Sequence, residues 1–477
     1  MSHIFAPTIA RGKSRQVSEA ALEALEKRIA ENPRDVALLC ARAGLLAALG
    51  KTEAAKEAYL ALLTVAPAHA VALNDFGALL AATGYRSAAK TVYAQAILHH
   101  PDDPRAHVGL GNILLDEDDP AGARACYEDA LRRDAALPEA HQGLARIFAA
   151  SRRDADAVAD HAEKGFRGHA VSVLPYHGAE EPAELLLLVA ATGGNIPLKH
   201  HIDDRTFRVT AVFADFYDEE SLPPHDFVFN AIGDADFCAD ALKAAEKLLE
   251  NTSAKVLNPP AKVLRTGRVE NAQRLAGIAG VRTAKTRLMK KNKITTEDLR
   301  FPALLRAPGF HTGQHFVMAE AEQDLARALE KLPGEDVFIM DYLDARGADG
   351  LCRKYRVMTV GGKLYPLHMA ASADWKVHYF TALQYRDEER AFLENMAAAI
   401  GAGGVAALER VADALGLDYG GIDFGLDAAG NVLLFEANAT MVVNPPAAAA
   451  PEHCKRALAE AAAAVQSMLM RAAEGGS

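Results

Sequence analysis

Residues 419–438 read YGGIDFGLDAAGNVLLFEAN, two strand-like runs separated by Asp427, Gly430 and Asn431, which favour a turn. The pattern predicts a hairpin. With the turn centred near residue 429 or 430, Asp423 and Glu436 lie equally far from it and face each other across the antiparallel pair. Asn438, two residues beyond Glu436, points the same way. Two carboxylates and an amide flanked by apolar Ile422, Phe424, Phe435 and Ala437 are a costly arrangement unless a positive charge lies between them. An all-oxygen donor set suits magnesium. The competing reading is a solvated hairpin face carrying ordinary exposed acids, and the apolar flanks weigh against it.

Cations gather upstream of the hairpin. Residues 301–306, FPALLR, predict a strand ending in Arg306, followed at once by the glycine-bearing loop APGFHTG of 307–313. A cation beside a flexible glycine loop suits a phosphate, although strand, basic residue and glycine turn coincide in many α/β proteins. Residues 337–344, VFIMDYLD, read as an apolar strand with acids at its end, and 353–369 as a hairpin bearing Lys354 and Arg356.

These segments need elements to hold them. In the N-terminal part Pro33, Pro67 and Pro101 each follow a helical stretch at a spacing of 34 residues; Ala55, Ala89 and Ala123 share the period, as do Tyr59, Tyr93 and Tyr127. That is the tetratricopeptide period. Helix pairs this short cannot bury an apolar face alone, so they stack, and Gly77 and Gly111 fall where helices must approach closely. A repeat array is expected over 17–168. Its fourth unit, from Pro138, has His161 in place of the tyrosine and reads as a cap. The tyrosines are read as packing residues rather than a ligand stripe. By fold analogy such arrays hold peptides or proteins, so a partner of that kind is expected.

After Gly168 the period stops. Residues 184–196, 207–216 and 226–232 read as strands and 239–251 as a helix, the order of a small doubly wound α/β unit over 170–258. Residues 258–286 add a prolyl turn, a basic helix and a short strand. The net charge of -11 over 477 residues, with both signs interspersed, argues against a nucleic-acid partner. Five scattered cysteines without a CxxC pair indicate neither a disulfide framework nor a zinc site, and no stretch has the length or apolarity of a signal peptide or membrane span. A cytoplasmic protein is expected.

In this order the motifs of residues 170–470 resemble the ATP-grasp superfamily, specifically its glutathione-synthetase and ribosomal-protein glutamate-ligase branch. Asp423 and the run Glu436, Ala437, Asn438 match the family's metal-binding aspartate and Glu-x-Asn motif. The resemblance implies a multidomain chain: an all-α tetratricopeptide-repeat solenoid, an α/β pre-ATP-grasp domain over 170–258 and an α+β ATP-grasp domain over 259–472. It also implies that Asp341, Tyr342 and Leu343 form the hinge that reads adenine, and that Asp344 reaches the ribose. Arg306 stands where the family usually has a lysine before its lid loop, and Arg268 near the position of the other phosphate-binding lysine. A guanidinium holds phosphate through a planar fork, so the charge is kept while the geometry changes. Lys354 belongs to the same nucleotide set, and His311, Thr312 and Gly313 to the lid.

The activity implied by the resemblance is that of a ligase using ATP and magnesium: a carboxylate is phosphorylated, an amine attacks the acyl phosphate, and an amide, ADP and phosphate result. Arg356, Lys376 and His378 would stand by the transferred phosphoryl group, His378 being equally readable as a packed strand residue. Two other readings remain open, a repeat scaffold with a degenerate or nucleotide-sensing catalytic part, and a phosphotransferase on the same fold. The residues do not identify the carboxylate or the amine.

Overall fold

The computed structural model describes residues 15–152, 154–198, 200–310, 313–377, 386–443, 446 and 449–475. Its first part is helical: α1 (Arg15–Glu31), α2 (Val36–Ala48), α3 (Thr52–Val65), α4 (Ala70–Ala82), α5 (Arg86–His99), α6 (Arg105–Asp116), α7 (Pro120–Leu131), α8 (Pro138–Ser151) and α9 (Ala155–Phe166). The helices α3, α5 and α7 start at Thr52, Arg86 and Pro120, one repeat period apart, so this part is an array of tetratricopeptide-like helix pairs. Asp35, Asp119 and Asp154 accept backbone N–H bonds at the starts of α2, α7 and α9, satisfying amides that a helix leaves unpaired.

The repeat tyrosines are packing residues: Tyr59, Tyr93 and Tyr127 are buried. Tyr93 and Tyr127 each lie between two glycines. A Cβ at Gly77 would stand 2.6 Å from the Tyr93 ring and one at Gly109 2.3 Å from it; Gly111 and Gly143 enclose Tyr127 at 2.8 and 2.4 Å. Gly77 and Gly111 are legible from the period, and Gly109 and Gly143 complete the slots. Gly143→Ala is therefore expected to destabilise the array by about 1–2 kcal/mol, the cost of overpacking exceeding alanine's gain in helix propensity. The fall in the urea midpoint by far-UV circular dichroism measures it, and an unchanged midpoint would contradict the slot. In the last pair His161 replaces tyrosine and stacks on Phe148, ring centroids 5.5 Å apart, with a 2.8 Å contact to His141 Nδ1.

A mixed α/β region comes next: β1 (Val171–Val173), β2 (Ala183–Val189), β3 (Phe207–Phe213), β4 (Phe227–Asn230), α10 (Ala239–Leu248) and β5 (Lys255–Leu257). The sheet order is β1-β3-β2-β4-β5, with β1 antiparallel to β3 and β4 parallel to β5. The doubly wound expectation holds only for β4–α10–β5. Among the described residues the links β2–β3 and β3–β4 carry no helix; their Gly, Pro and Asp residues form turns and bends instead. By packing, the chain divides into two compact units. The first runs to Leu186 with 191–193 and 203–223, and the second comprises 187–190, 194–202 and the chain from Pro224 on.

The second unit continues with α11 (Pro260–Leu264), α12 (Arg268–Leu275), β6 (Val281–Thr283), β7 (Thr286–Lys290), β8 (Ala303–Arg306), β9 (Phe316–Ala319), α13 (Leu325–Glu330) and β10 (Asp336–Asp341). Then come β11 (Cys352–Val360), β12 (Lys363–Ser372), α14 (Arg386–Glu394), α15 (Met396–Leu415), β13 (Tyr419–Leu426), β14 (Val432–Asn438) and α16 (Glu452–Glu474). One sheet, β7-β10-β8-β9, is antiparallel and packs Leu305, Ala319, Val337 and Ile339 against Leu325 and Ala328 of α13. The other, β12-β11-β13-β14-β6, is antiparallel except where β6 runs parallel to β14. The start of β13 is held by buried Asn258, whose side chain accepts from Tyr419 N and donates to Tyr419 O, both at 2.8 Å. Among the described residues no single helix is long and apolar enough to cross a membrane.

Candidate active site

The β13–β14 turn is closed by Asp427, which accepts from the backbone of Ala429 and Asn431, with Gly430 at φ 79°. The turn sets the register from Leu426 opposite Val432 to Phe424 opposite Leu434, and a bulge between Asp423 and Phe424 then brings Asp423 opposite Glu436 and Gly421 opposite Asn438. On the other side of β13, β11 places Arg356 opposite Asp423, and Lys354 two residues away shares that face. Asp423 Oδ1 accepts from Arg356 Nε at 2.6 Å; its Oδ2 accepts from Arg356 Nη2 at 2.8 Å and Lys354 Nζ at 3.0 Å. Burial alone would raise the Asp423 pKa, but Arg356 and Lys354 overcome it and hold the carboxyl well below the usual range.

Glu436 Oε1 accepts from Arg268 Nη2 at 2.6 Å and Asn438 Nδ2 at 2.9 Å. Arg268 is the first residue of α12, and its backbone N–H donates to the Asp236 carboxylate at 3.0 Å. Arg306, at the end of β8, is buried, donates to Phe310 O and lies over the Phe316 ring at 5.4 Å. Among the described residues it has no carboxylate at ion-pair distance. Burial first, then Arg268, pushes its pKa down to about 10. Lys376 Nζ donates to Gly313 O and, at 3.3 Å, to Phe316 O, and burial and Arg306 lower its pKa. Arg268, Arg306 and Lys376 thus lie near one another, with Glu436, Asp234 and Asp236 as the carboxylates that act on the two arginines.

Of these three cations Arg268 lines an open cleft of about 750 Å³, a figure that includes space open to solvent, and Arg306 and Lys376 do not. Its walls carry Asp234, Asp236, Arg268, Phe310, Met340, Glu436 and Asn438. Asp423, Lys354 and Arg356 do not line it; Asp423 and Arg356 are successive cross-strand neighbours of Glu436. Asp341, Tyr342, Leu343 and Asp344 do not line it either. Asp341 N donates to Lys285 O at 3.1 Å, and Asp344 holds Arg346 at 2.7 and 2.9 Å, which keeps its carboxyl below the usual range. The hydroxyl of Tyr342 donates to Asp344 at 3.4 Å. His311, Thr312 and His378 lie outside the described residues.

A divalent cation tests this donor set. Oxygen is the only donor that Asp423, Glu436 and Asn438 offer, which is hard-cation chemistry. Glu436 and Asn438 face the cleft, though the Asn438 carbonyl accepts from Thr440 N and Oγ at 3.0 and 2.9 Å and its amide group must turn to ligate. The Asp423 oxygens carry three N–H bonds, leaving little of a carboxylate's acceptor capacity. By donor type the set suits a hard cation, and by position Glu436 and Asn438 could hold magnesium from the cleft, whereas Asp423 is committed to Arg356 and Lys354.

Two residues here, Asp236 and His368, escape sequence reasoning as site groups, while the segment 230–234 is legible as part of the pocket. Asp236 lies after β4 in a loop with no spacing relation to Arg268. His368 lies opposite Arg356 only because a bulge between Arg356 and Val357 shifts the β11–β12 register. Burial, then Arg356, pushes its pKa down to about 3. An unfolded histidine titrates near 6.5. Its contribution to stability is thus complete above about pH 6.5 and falls as the pH drops toward 3, because the unfolded state takes up a proton that the folded state refuses. Between pH 6.5 and 4.5 the second unit should lose up to ~1.4 kcal/mol per pH unit from this group. His368→Gln should flatten that part of the urea-midpoint profile, and a profile unchanged by the substitution would contradict this account.

No protein-family model matches the chain, and no curated protein matches it. Among solved structures it is similar to residues 41 to the end of MamA from Desulfovibrio magneticus RS-1, with 23% identity, 31% of this chain and 84% of that chain covered, and a TM-score of 0.29. A thermophilic TPR protein from Thermus thermophilus shows 22% identity over 31% of this chain and 81% of that one, TM-score 0.28. YrrB, described as a TPR protein with an unusual peptide-binding site, shows 21% identity over 30% and 74%, TM-score 0.27. The tetratricopeptide assignment stands on the helix pairs themselves.

Proposed function

We propose that the second unit is an ATP-grasp-type ligase that joins a carboxylate to an amine through an acyl phosphate, with the repeats binding a peptide or protein partner or substrate. The observation that carries this reading is the buried Arg306, without a carboxylate at ion-pair distance among the described residues, near the half-buried Arg268, which pairs with Glu436 on a cleft wall that also bears Asn438. Burial and Arg268 lower the pKa of Arg306, and although Glu436 pairs with Arg268, a polyanion such as a triphosphate would complement the Arg306 guanidinium. Two sheets, one with a strand ending in Arg306 and the other carrying Lys354, Arg356 and the carboxylate hairpin, support the same reading.

In the reaction, an oxygen of the substrate carboxylate bonds to the γ-phosphorus of ATP as the bond to ADP breaks. The amine nitrogen then attacks the acyl carbon, phosphate leaves and the amine proton is released. Bound magnesium supplies charge screening between the phosphates. Arg268, Arg306 and Lys376 neutralise oxygens that gain charge during transfer. Arg356 and Lys354 keep Asp423 ionised, and Asp423 in turn holds those two cations beside Glu436. Gly313, tied to Lys376 through its carbonyl, links the 307–313 loop to that cation.

The test incubates the full chain with ATP, magnesium, pooled carboxylates and hydroxylamine as a surrogate amine. Stoichiometric hydroxamate, ADP and phosphate are expected. A stable phosphorylated product that yields no amide would mean a phosphotransferase, and neither product would favour a scaffold.

A further inference from the structure

A second constellation with chemistry of its own lies where α14 meets α16. Glu389 comes from the first turns of α14, and His453 and Cys454 from the first turn of α16. One ligand atom from each, a carboxylate oxygen, an imidazole nitrogen and a thiol sulfur, lies within 4.8 Å of the other two. Cys454 Sγ already stands 3.7 Å from Glu389 Oε2, and His453 Nε2 is buried with no hydrogen-bond partner among the described residues. Around a tetrahedral zinc with ordinary bond lengths, ligand atoms sit about 3.3 to 3.8 Å apart, so closing this set takes side-chain movements of about an ångström.

We propose that Glu389, His453 and Cys454 form a binding site for one zinc-class divalent cation, with water completing the tetrahedron. Mixed carboxylate, imidazole and thiolate donors select a borderline-soft ion over magnesium, which takes oxygen alone. The thiol must ionise to ligate, releasing its proton to solvent, and the bound cation itself would stabilise the thiolate beside Glu389.

The cation would act as a clasp. The helix α14 is already tied by Arg353 to Glu388 at 2.7 Å and by Arg456 to Glu394 at 3.1 Å. Its Phe392 packs on Tyr355 and Phe424, ring centroids 5.0 and 6.4 Å away, and these flank Lys354, Arg356 and Asp423 along their strands. A metal at the other end of α14 fixes the helix that backs those strands. Nothing in this depends on the nucleotide reading.

The full chain, stripped with a chelator, is titrated with cobalt(II) alone and then with zinc. A thiolate-to-cobalt charge-transfer band saturating at one equivalent and bleached by zinc is expected. It should vanish in Cys454→Ser, and His453→Gln or Glu389→Gln should weaken cobalt binding at least tenfold. Should Cys454→Ser fail to fold by circular dichroism, the other two variants, which keep the thiol, decide. No band, a band that persists in Cys454→Ser, or binding equal in the histidine and glutamate variants would overturn the site.

Discussion

Asp423→Asn is expected to lower the stability of the second unit by about 2–3 kcal/mol and to abolish magnesium-dependent nucleotide binding. The substitution keeps the shape of the side chain and removes the anion shared by Arg356 and Lys354, leaving two cations facing each other. Removing one partner of a fully buried pair costs about 3–5 kcal/mol. Here the Arg356 and Lys354 side chains are 27% and 25% exposed while Asp423 is 7% exposed, so water recovers part of the loss and the lower figure applies. Urea denaturation followed by fluorescence of the single tryptophan, Trp375, and by circular dichroism measures it. An unchanged midpoint would mean that the carboxylate is not the counter-ion its geometry indicates.

Arg306→Met should behave in the opposite sense. Arg306 is 7% exposed, is pushed toward neutrality by burial and by Arg268, and has no carboxylate partner among the described residues. Replacing a buried, poorly compensated charge by an unbranched apolar side chain is often neutral or stabilising. The melting midpoint is expected to stay or rise by about 2–4 °C, corresponding to about 1 kcal/mol. Affinity for an ATP analogue should nevertheless fall about 100-fold, the loss of a charge-assisted bond worth about 2.7 kcal/mol. A side chain that costs stability and is needed for binding is the signature of a functional residue. A variant both less stable and unimpaired in binding would assign Arg306 to the fold alone.

Much of this architecture was legible in the residues because it is written in local periods. The 34-residue spacing named the helix pairs, and the tyrosines proved buried. The turn residues made the hairpin legible, but the pairing of Asp423 with Glu436 rests on a bulge between Asp423 and Phe424: the register set by the turn would by itself have placed Phe435 opposite Asp423. What depends on non-local pairing was not legible. The parallel docking of β6 on β14 and the β1-β3-β2-β4-β5 order have no local signature. The position of His368 turned on one bulge residue. Lys354 and Arg356 were assigned to the nucleotide and to catalysis separately, yet both bind the Asp423 carboxylate. The adenine and ribose roles given to Asp341, Tyr342, Leu343 and Asp344 belong to the proposal, and Asp344 must release Arg346 to serve in it.

The most direct measurement is a calorimetric titration of the full chain with a nonhydrolysable ATP analogue, with and without magnesium, alongside Glu436→Gln and the Asp423→Asn, Glu436→Gln double variant. The account predicts one site whose affinity requires magnesium and which both variants lose while retaining their folded circular-dichroism spectrum. No binding by the wild type, or binding indifferent to magnesium and to both substitutions, would contradict it.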